Sequence, residues 1–277
     1  MSDDVLLLGA VAYDPKVVTI WDGFKEYFLK HGLPFDYILF TTYERQVQAQ
    51  LDGQIHVAWN SPLAWLQTVQ LAQAQGRTAQ AIVMRDSDCD LISTIVARRE
   101  GPVRAVSDLK GKRVAVGAKD SPQATLIPLQ VLAAEGLEPN RDFEVVLFDV
   151  LVGKHGDHIG GERDAALALM RGDVDAACLI EGNYRLFEGD GTIAPGSTVR
   201  ILETPPYDHC NFTVLDGADL DRALADRIAR FAELLLAMSY DDPEVRGLLD
   251  LEGLKRWVPA RTDGYRLLAD AVARFGM

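Results

Sequence analysis

Two short runs hold most of the side chains able to do chemistry. One is Lys154-His155-Gly156-Asp157-His158; the other is Tyr207-Asp208-His209-Cys210. His155 and His158 have a loop spacing that can chelate a metal, and His209-Cys210, with Cys89, could join such a site. A cysteine beside a histidine also has the ingredients of an activated nucleophile. Geometry opposes this, because neighbours 209 and 210 on a strand point to opposite faces and do not pair. Nothing in the sequence orients the ligand rings either. The expectation is therefore no tightly bound structural metal and no cofactor. Cys178, mid-strand among apolar residues, reads as an inert core thiol.

A second kind of chemistry is anion binding. Ser61-Pro62 and Ser121-Pro122 each read as an N-cap followed by proline at the first helical position. A helix that starts this way presents free backbone N–H groups and the positive end of its dipole. Gln123 and Thr125 lie in the same turn as Ser121. Arg163 opens a later helix and offers a planar fork to a carboxylate or phosphate. A cation is slightly unfavourable at a helix start, which argues for a functional reason to place it there.

The elements that position these residues alternate β and α. Val5–Ala12 is strand-like, and Lys16–His31 carries a helical apolar stripe ended by Gly32. Phe35–Phe40 is a second strand, and Thr41 with Glu44 suggests a capping box. Ile55–Trp59 is a third strand. The same grammar returns in Arg113–Val116, the Ser121 helix, Phe143–Phe148, a helix over Asp164–Met170, and Val174–Ile180. Leu91–Arg98, Val199–Glu203 and Phe212–Leu215 are further strands; Leu220–Met238 and Gly264–Phe275 are helices. Ala49–Ala58 and Ala168–Ala177 share the pattern A-x-x-x-G-x-[IV]-[HD]-x-A, which predicts two similar α/β lobes with parallel sheets covered on both faces. Trp59 and Trp65 read as core more than as ligand platforms.

The 277 residues suffice for two domains, and 48% are hydrophobic. With 28 basic against 41 acidic residues the net charge is −13. This argues against a nucleic-acid partner and against docking on an anionic membrane. No apolar stretch is long enough for membrane insertion. The start Met1-Ser2-Asp3-Asp4 has no signal-peptide pattern, so the expected location is cytoplasmic, or periplasmic or lipid-anchored if a signal was removed.

Several stretches together resemble the phosphate/phosphonate (PhnD-like) class of ABC-transporter substrate-binding proteins. Thr41-Thr42-Tyr43, Ala49–Ala58 and Asn60-Ser61-Pro62-Leu63-Ala64 are similar to that family's T-x-Y … A-L-x-x-G-x-V-D-x-A … G-P-x-A-Y run. Ser107-Asp108-Leu109-Lys110-Gly111-Lys112-Arg113-Val114-Ala115 resembles its S-x-x-D-L-K-G-K-x-[VI]-A stretch. Arg163-Asp164-Ala165-Ala166 through Ala177 resembles its H-x-x-A … G-x-V-D-A-A block. The resemblance implies a two-lobed type II periplasmic-binding-protein fold, each lobe a mainly parallel sheet flanked by helices. Lobe 1 would be 1–88 plus 205–277 and lobe 2 would be 92–200, with hinge strands near 91–97 and 199–211 and ligand held between the lobes.

The resemblance also implies the ligand-contacting set: Tyr13, Thr42, Tyr43, Asn60, Ser61, Ser121, Gln123, Thr125, Arg163, Glu181, Tyr184, Tyr207 and His209. Departures are visible. The family's hydroxyl-rich loop is here Asp120-Ser121-Pro122-Gln123-Ala124-Thr125, in which Pro122 removes a donor and Asp120 adds negative charge. The stretch 150–162 is longer than in the family, and Arg163 stands where the family carries a histidine. The function implied is capture of a small anionic or zwitterionic ligand by hinge closure, with an ABC transporter permease as partner. The alternative is a cytoplasmic lyase, decarboxylase or biosynthetic enzyme on the same fold, using His, Cys and Asp residues.

Overall fold

The computed structural model describes residues 4–216 and 221–276. The chain divides into two compact units, Met1–Cys89 with Asp208–Gly264, and Asp90–Tyr207 with Tyr265–Met277.

The first unit is built on a six-stranded mixed sheet of order β11-β4-β10-β3-β1-β2. Its strands are β1 (Leu6–Val11), β2 (Phe35–Phe40), β3 (Val57–Asn60), β4 (Thr78–Arg85), β10 (Asn211–Asp216) and β11 (Trp257–Pro259). β1 pairs parallel with β2 and β3, whereas β10 runs antiparallel to β3 and β4. Helix α1 (Lys16–Lys30) buries Val17, Ile20, Trp21, Phe24 and Phe28 on one face. The spacing is that of an amphipathic helix. These side chains join Phe35, Trp59, Phe212, Phe231 and Trp257 in an aromatic core. Trp59 thus packs in the core, its ring centroid 4.6 Å from that of Phe212. Helices α2 (Tyr43–Leu51), α3 (Pro62–Ala74), α7 (Arg222–Leu236) and α8 (Pro243–Glu252) complete the unit. The α2 cap is Thr42, which accepts from the Arg45 N–H, one residue later than the expected capping box. The expected start of α7 at Leu220 lies outside the described residues; Asp221 caps the helix.

The second unit has a five-stranded mixed sheet of order β7-β6-β8-β5-β9. Its strands are β5 (Ser93–Arg98), β6 (Arg113–Val116), β7 (Glu144–Leu147), β8 (Ala176–Ile180) and β9 (Thr198–Glu203). β6 pairs parallel with β7 and β8, and β5 antiparallel with β8 and β9. The helices are α4 (Ile127–Ala134), α5 (Gly160–Arg171), α6 (Glu181–Gly189) and α9 (Arg266–Phe275). Helix α9 groups with this unit, although the sequence reading ran the first lobe to 277. It packs on α4. The core is aliphatic, in two clusters around Val114, Val116 and Leu132 and around Ala165, Leu169 and Leu179.

Both sheets are mixed: most strands share one direction, with β10 and β11 in the first unit and β5 in the second running against them. The repeated sequence pattern falls at equivalent places. Gly53 and Gly172, with φ of +71° and +84°, end α2 and α5 in the left-handed region that glycine adopts without strain. The strands that follow, β3 and β8, each lie between one parallel and one antiparallel neighbour. Strand β4 and helices α6 and α8 were not read from the sequence.

Candidate functional site

In open α/β sheets, ligands bind at the carboxyl ends of the parallel strands. In the first unit this end carries the loops after β1, β2 and β3, together with the start of β10. Tyr13 follows β1; its ring packs partly on the core, with the Lys16 ammonium 5.8 Å away. Thr42 is half-buried and caps α2. Ser61, fully buried, caps α3 by accepting from the Ala64 N–H at 3.1 Å.

Two of the expected contacts point elsewhere. Tyr43 is buried with Val11, Val47 and Leu51. Asn60 is fully buried inside a polar network. Its amide donates to the Thr213 and Thr68 hydroxyls at 3.0 and 3.3 Å, and its carbonyl accepts from Gln46 Nε2 at 2.8 Å. This amide positions β3 against β10, with both of its donor hydrogens spent inside the protein.

At the same end, Arg85 grips Asp88 through Nε and Nη2 at 2.5 and 2.9 Å and reaches Glu252 at 3.1 Å. The guanidinium lies 5.1 Å from the Trp59 ring. Burial alone would raise the Asp88 carboxyl, but Arg85 and then His209 outweigh it and hold it at about 2. His209 Nδ1 lies 3.1 Å from Cys210 Sγ and 3.5 Å from Asp88 Oδ1. Histidine and cysteine therefore do meet, contrary to the strand argument. The reason is local: β10 begins at Asn211, so 209 and 210 precede the strand and escape its alternation. Asp208 is held by a two-pronged hydrogen bond from Arg261, at 2.6 and 2.8 Å. Cys210 and Asp88 approach the same ring nitrogen, so the ring cannot pass a proton from thiol to carboxylate as a nucleophilic relay requires.

In the second unit the corresponding end carries the Ser121 turn. Ser121 accepts from the Ala124 N–H at 3.2 Å. Residues Pro122–Leu126 wind as a π-turn before α4 begins. Two prolines explain it. Pro122 starts the turn, and Pro128, lacking an N–H, leaves one carbonyl of the preceding turn without its helical donor. The Gln123 carbonyl accepts from the Ser93 hydroxyl at 2.5 Å, and the Ala124 carbonyl from the Gly117 N–H at 3.3 Å. With its proton so used, Ser93 accepts from the Tyr207 hydroxyl at 2.7 Å. Burial drives the Tyr207 phenol well above its ordinary pKa.

The Gln123 side chain is a strut: Nε2 donates to the Gly156 carbonyl at 2.6 Å and ties down the 150–162 loop. Gly156, at φ +76°, sits where a Cβ would strike Ser121 Oγ and Gln123 Nε2. Asp120 accepts from the Gly153 N–H through one oxygen, while its Oδ1 is buried without a hydrogen-bond partner. The buried Thr125 hydroxyl likewise has none. Glu162, missed in the sequence reading, accepts from the Ile180 N–H at 2.8 Å and fastens α5 to β8.

Arg163 is committed within its own unit. It donates to Asp190 at 2.8 Å and to the Thr192 hydroxyl, and its guanidinium lies 4.6 Å from the Phe187 ring. These contacts make it a tie between α5 and the end of α6. Glu181 accepts from Arg185 and Arg200, both at 2.7 Å. Tyr184 bonds Glu188 and Thr198. His155 is buried and His158 half-buried, the latter's pKa lowered by burial. Among the described residues no three-donor cluster contains both histidines. Cys178 is wholly buried, which pushes its thiol pKa up, as expected of a core thiol.

The folded chain resembles solved binding proteins over nearly its whole length. PhnD1 from Prochlorococcus marinus, in complex with methylphosphonate, matches with a TM-score of 0.72 and 17% identity, covering 99% of this chain and 98% of that one. XAC2383 from Xanthomonas citri, bound to ATP, matches at 0.72 and 16%, covering 98% and 96%. The periplasmic sulfonate-binding protein SsuA from Methylobacillus flagellatus matches at 0.60 and 17%, covering 98% and 86%. These likenesses establish the type II periplasmic-binding-protein fold. An uncharacterized protein of Haemophilus influenzae is 44% identical over 45 residues, 16% of this chain; the chain spans 56% of that curated relative's length. No described helix is long and apolar enough to cross a membrane. Residues 10–265 match the model of the phosphonate ABC-transporter periplasmic substrate-binding proteins, and the chain belongs to that family.

Proposed function

We infer that the protein binds a small oxyanion or zwitterion as the solute-capturing component of an ABC transporter and delivers it to a permease. The Ser121 turn carries this reading. It is a buried helix start whose dipole favours negative charge, and its Thr125 hydroxyl lacks a partner among the described residues. Ser61 and Thr42 supply a second pair of capped helix starts in the first unit. The ligand class is supported by the family, by the methylphosphonate and ATP bound to two structural neighbours, and by a third being described as a sulfonate-binding protein.

Asp120 refines the reading. A buried carboxylate oxygen beside the Ser121 cap opposes a bare dianion and favours a ligand that also carries a cationic or hydrogen-bond-donating group. The ligand contacts we propose in the second unit are therefore Ser121 and Thr125, with Asp120 as selector. Titration calorimetry with methylphosphonate, an aminoalkylphosphonate, inorganic phosphate and an alkanesulfonate tests it. The expected order places the aminoalkylphosphonate first. Absence of heat with all four sinks the reading. The enzyme alternative gains nothing from the family match, and the His209–Cys210 arrangement lacks a relay.

A further inference from the structure

The geometry points to a transition-metal site in the first unit, formed by Asp88, His209 and Cys210, that takes a divalent zinc-like ion. Their ligand atoms all lie within 4.8 Å of one another, and all three residues are buried. The imidazole nitrogen is 3.1 Å from the sulfur and 3.5 Å from the carboxylate oxygen. With ordinary metal–ligand lengths, the edges of a tetrahedron of one sulfur, one nitrogen and one oxygen around zinc are about 3.3–3.6 Å. The nitrogen–sulfur and nitrogen–oxygen distances are within about half an ångström of that figure, and the sulfur and the carboxylate oxygen lie within 4.8 Å of each other.

Three further features fit a built site. The backbone is fixed, since the His209 N–H donates to the Asp88 carbonyl at 2.9 Å. The carboxylate is oriented from outside, since Arg85 holds both its oxygens and each oxygen keeps a second lone pair. The charge also calls for a cation. Arg85 faces two buried carboxylates, Asp88 and Glu252. Deprotonation of Cys210 adds a further negative charge beside them, which a divalent ion offsets. Thiolate, imidazole and carboxylate together suit zinc or cobalt(II) better than calcium or magnesium. Three protein donors leave the fourth position for water or another oxygen. Uptake forms a metal–sulfur bond and releases the thiol proton, so affinity falls as pH falls.

The test uses the full chain, stripped with chelator and titrated with cobalt(II), then with zinc. One equivalent of cobalt is expected to produce a thiolate-to-cobalt absorption band that zinc abolishes. Zinc should also protect Cys210, but not Cys89, from iodoacetamide, read by peptide mass spectrometry. Cys210→Ser should remove the band, and His209→Gln should weaken zinc binding at least about tenfold. The protection experiment needs no variant and so survives a misfolded mutant. Absence of the band in the wild-type chain overturns the proposal, as does a band retained in Cys210→Ser. Alkylation of Cys210 that zinc leaves unchanged does the same. None of these outcomes depends on whether the protein binds an oxyanion.

Discussion

Ser61 and Ser121 open their helices with the same two residues, Ser-Pro, yet the turns behind them differ. Behind Ser61 the helix is regular: the Trp65 N–H reaches the Ser61 carbonyl at 2.8 Å, and the Ala64 N–H reaches the Ser61 hydroxyl at 3.1 Å. Behind Ser121 the Leu126 N–H reaches one residue further back, to the Ser121 carbonyl at 3.0 Å, and the turn widens. Pro128 supplies no N–H to the turn, and the Gln123 carbonyl instead accepts from Ser93, which accepts from Tyr207. The surroundings differ as well. The first unit braces its end with ion pairs, Arg85 to Asp88 and Glu252 and Arg261 to Asp208. The second frames its turn with hydroxyl and amide bonds and with the Asp120 carboxylate, which accepts from the Gly153 N–H. A capped helix start thus becomes a candidate binding turn when it is widened and its carbonyls are held from outside the helix.

The sharpest way to break the comparison is at Gly156. Gly156→Val adds a side chain in the left-handed region and into Ser121 and Gln123. The cost is about 2–4 kcal/mol in a denaturant melt, from strain and overpacking together. A glycine of the first unit with an open surround, Gly53, should tolerate alanine with less than half that loss. Next comes the frame. Ser93→Ala strands the buried Gln123 carbonyl and should cost about 1–3 kcal/mol.

The ionic end of the first unit answers to acid instead. Asp88 is held at about 2, below its ordinary 3.8. Its contribution is therefore complete above about pH 4 and lost as pH falls toward 2, an effect on the order of 2 kcal/mol. Asp88→Asn should flatten that part of the acid-stability curve, whereas Ser93→Ala should leave its shape intact. The caps themselves come next. Ser61→Ala and Ser121→Ala should each cost about 1 kcal/mol in stability. The comparison is sharpened by Thr125→Val, which should leave stability nearly unchanged and weaken methylphosphonate binding about tenfold by calorimetry. An unchanged affinity would remove the Ser121 turn from the site. The smallest effect belongs to Arg163. With its guanidinium spent on Asp190, Arg163→Ala should change ligand affinity less than about twofold and stability by less than about 1 kcal/mol.

Much of this was legible in the sequence for stated physical reasons. The Ser-Pro caps, the glycine stops at Gly53 and Gly172 and the repeated helix–strand joint all rest on local rules, and local rules survive folding. Asp242-Pro243 is the same cap signal and could have disclosed α8. Strand β4 hid because Thr78-Ala79-Gln80-Ala81 is too polar and too poor in β-branched residues to read as a strand. The side-chain roles were harder. Tyr43, Asn60, Gln123 and Arg163 are of types that bind ligands, but what decides is which neighbour already holds them, and those neighbours come from distant segments. His209 and Cys210 failed the other way. The strand alternation that should have separated them starts one residue later, at Asn211.

The chain visits its two units in alternation, leaving the first after Cys89, the second after Tyr207 and the first again after Gly264. No single cut therefore releases either unit whole. During synthesis from the N-terminus, residues 90–207 emerge complete with their sheet but without α9, whose place is against α4. The first unit meanwhile waits for β10, the strand that joins β3 to β4. Each unit therefore reaches the ribosome exit as an unfinished core, and both are closed only by segments made after the other has been largely laid down. Such a chain spends its early life with exposed apolar surface, and its yield in a cell should depend on chaperone supply more than its final stability suggests.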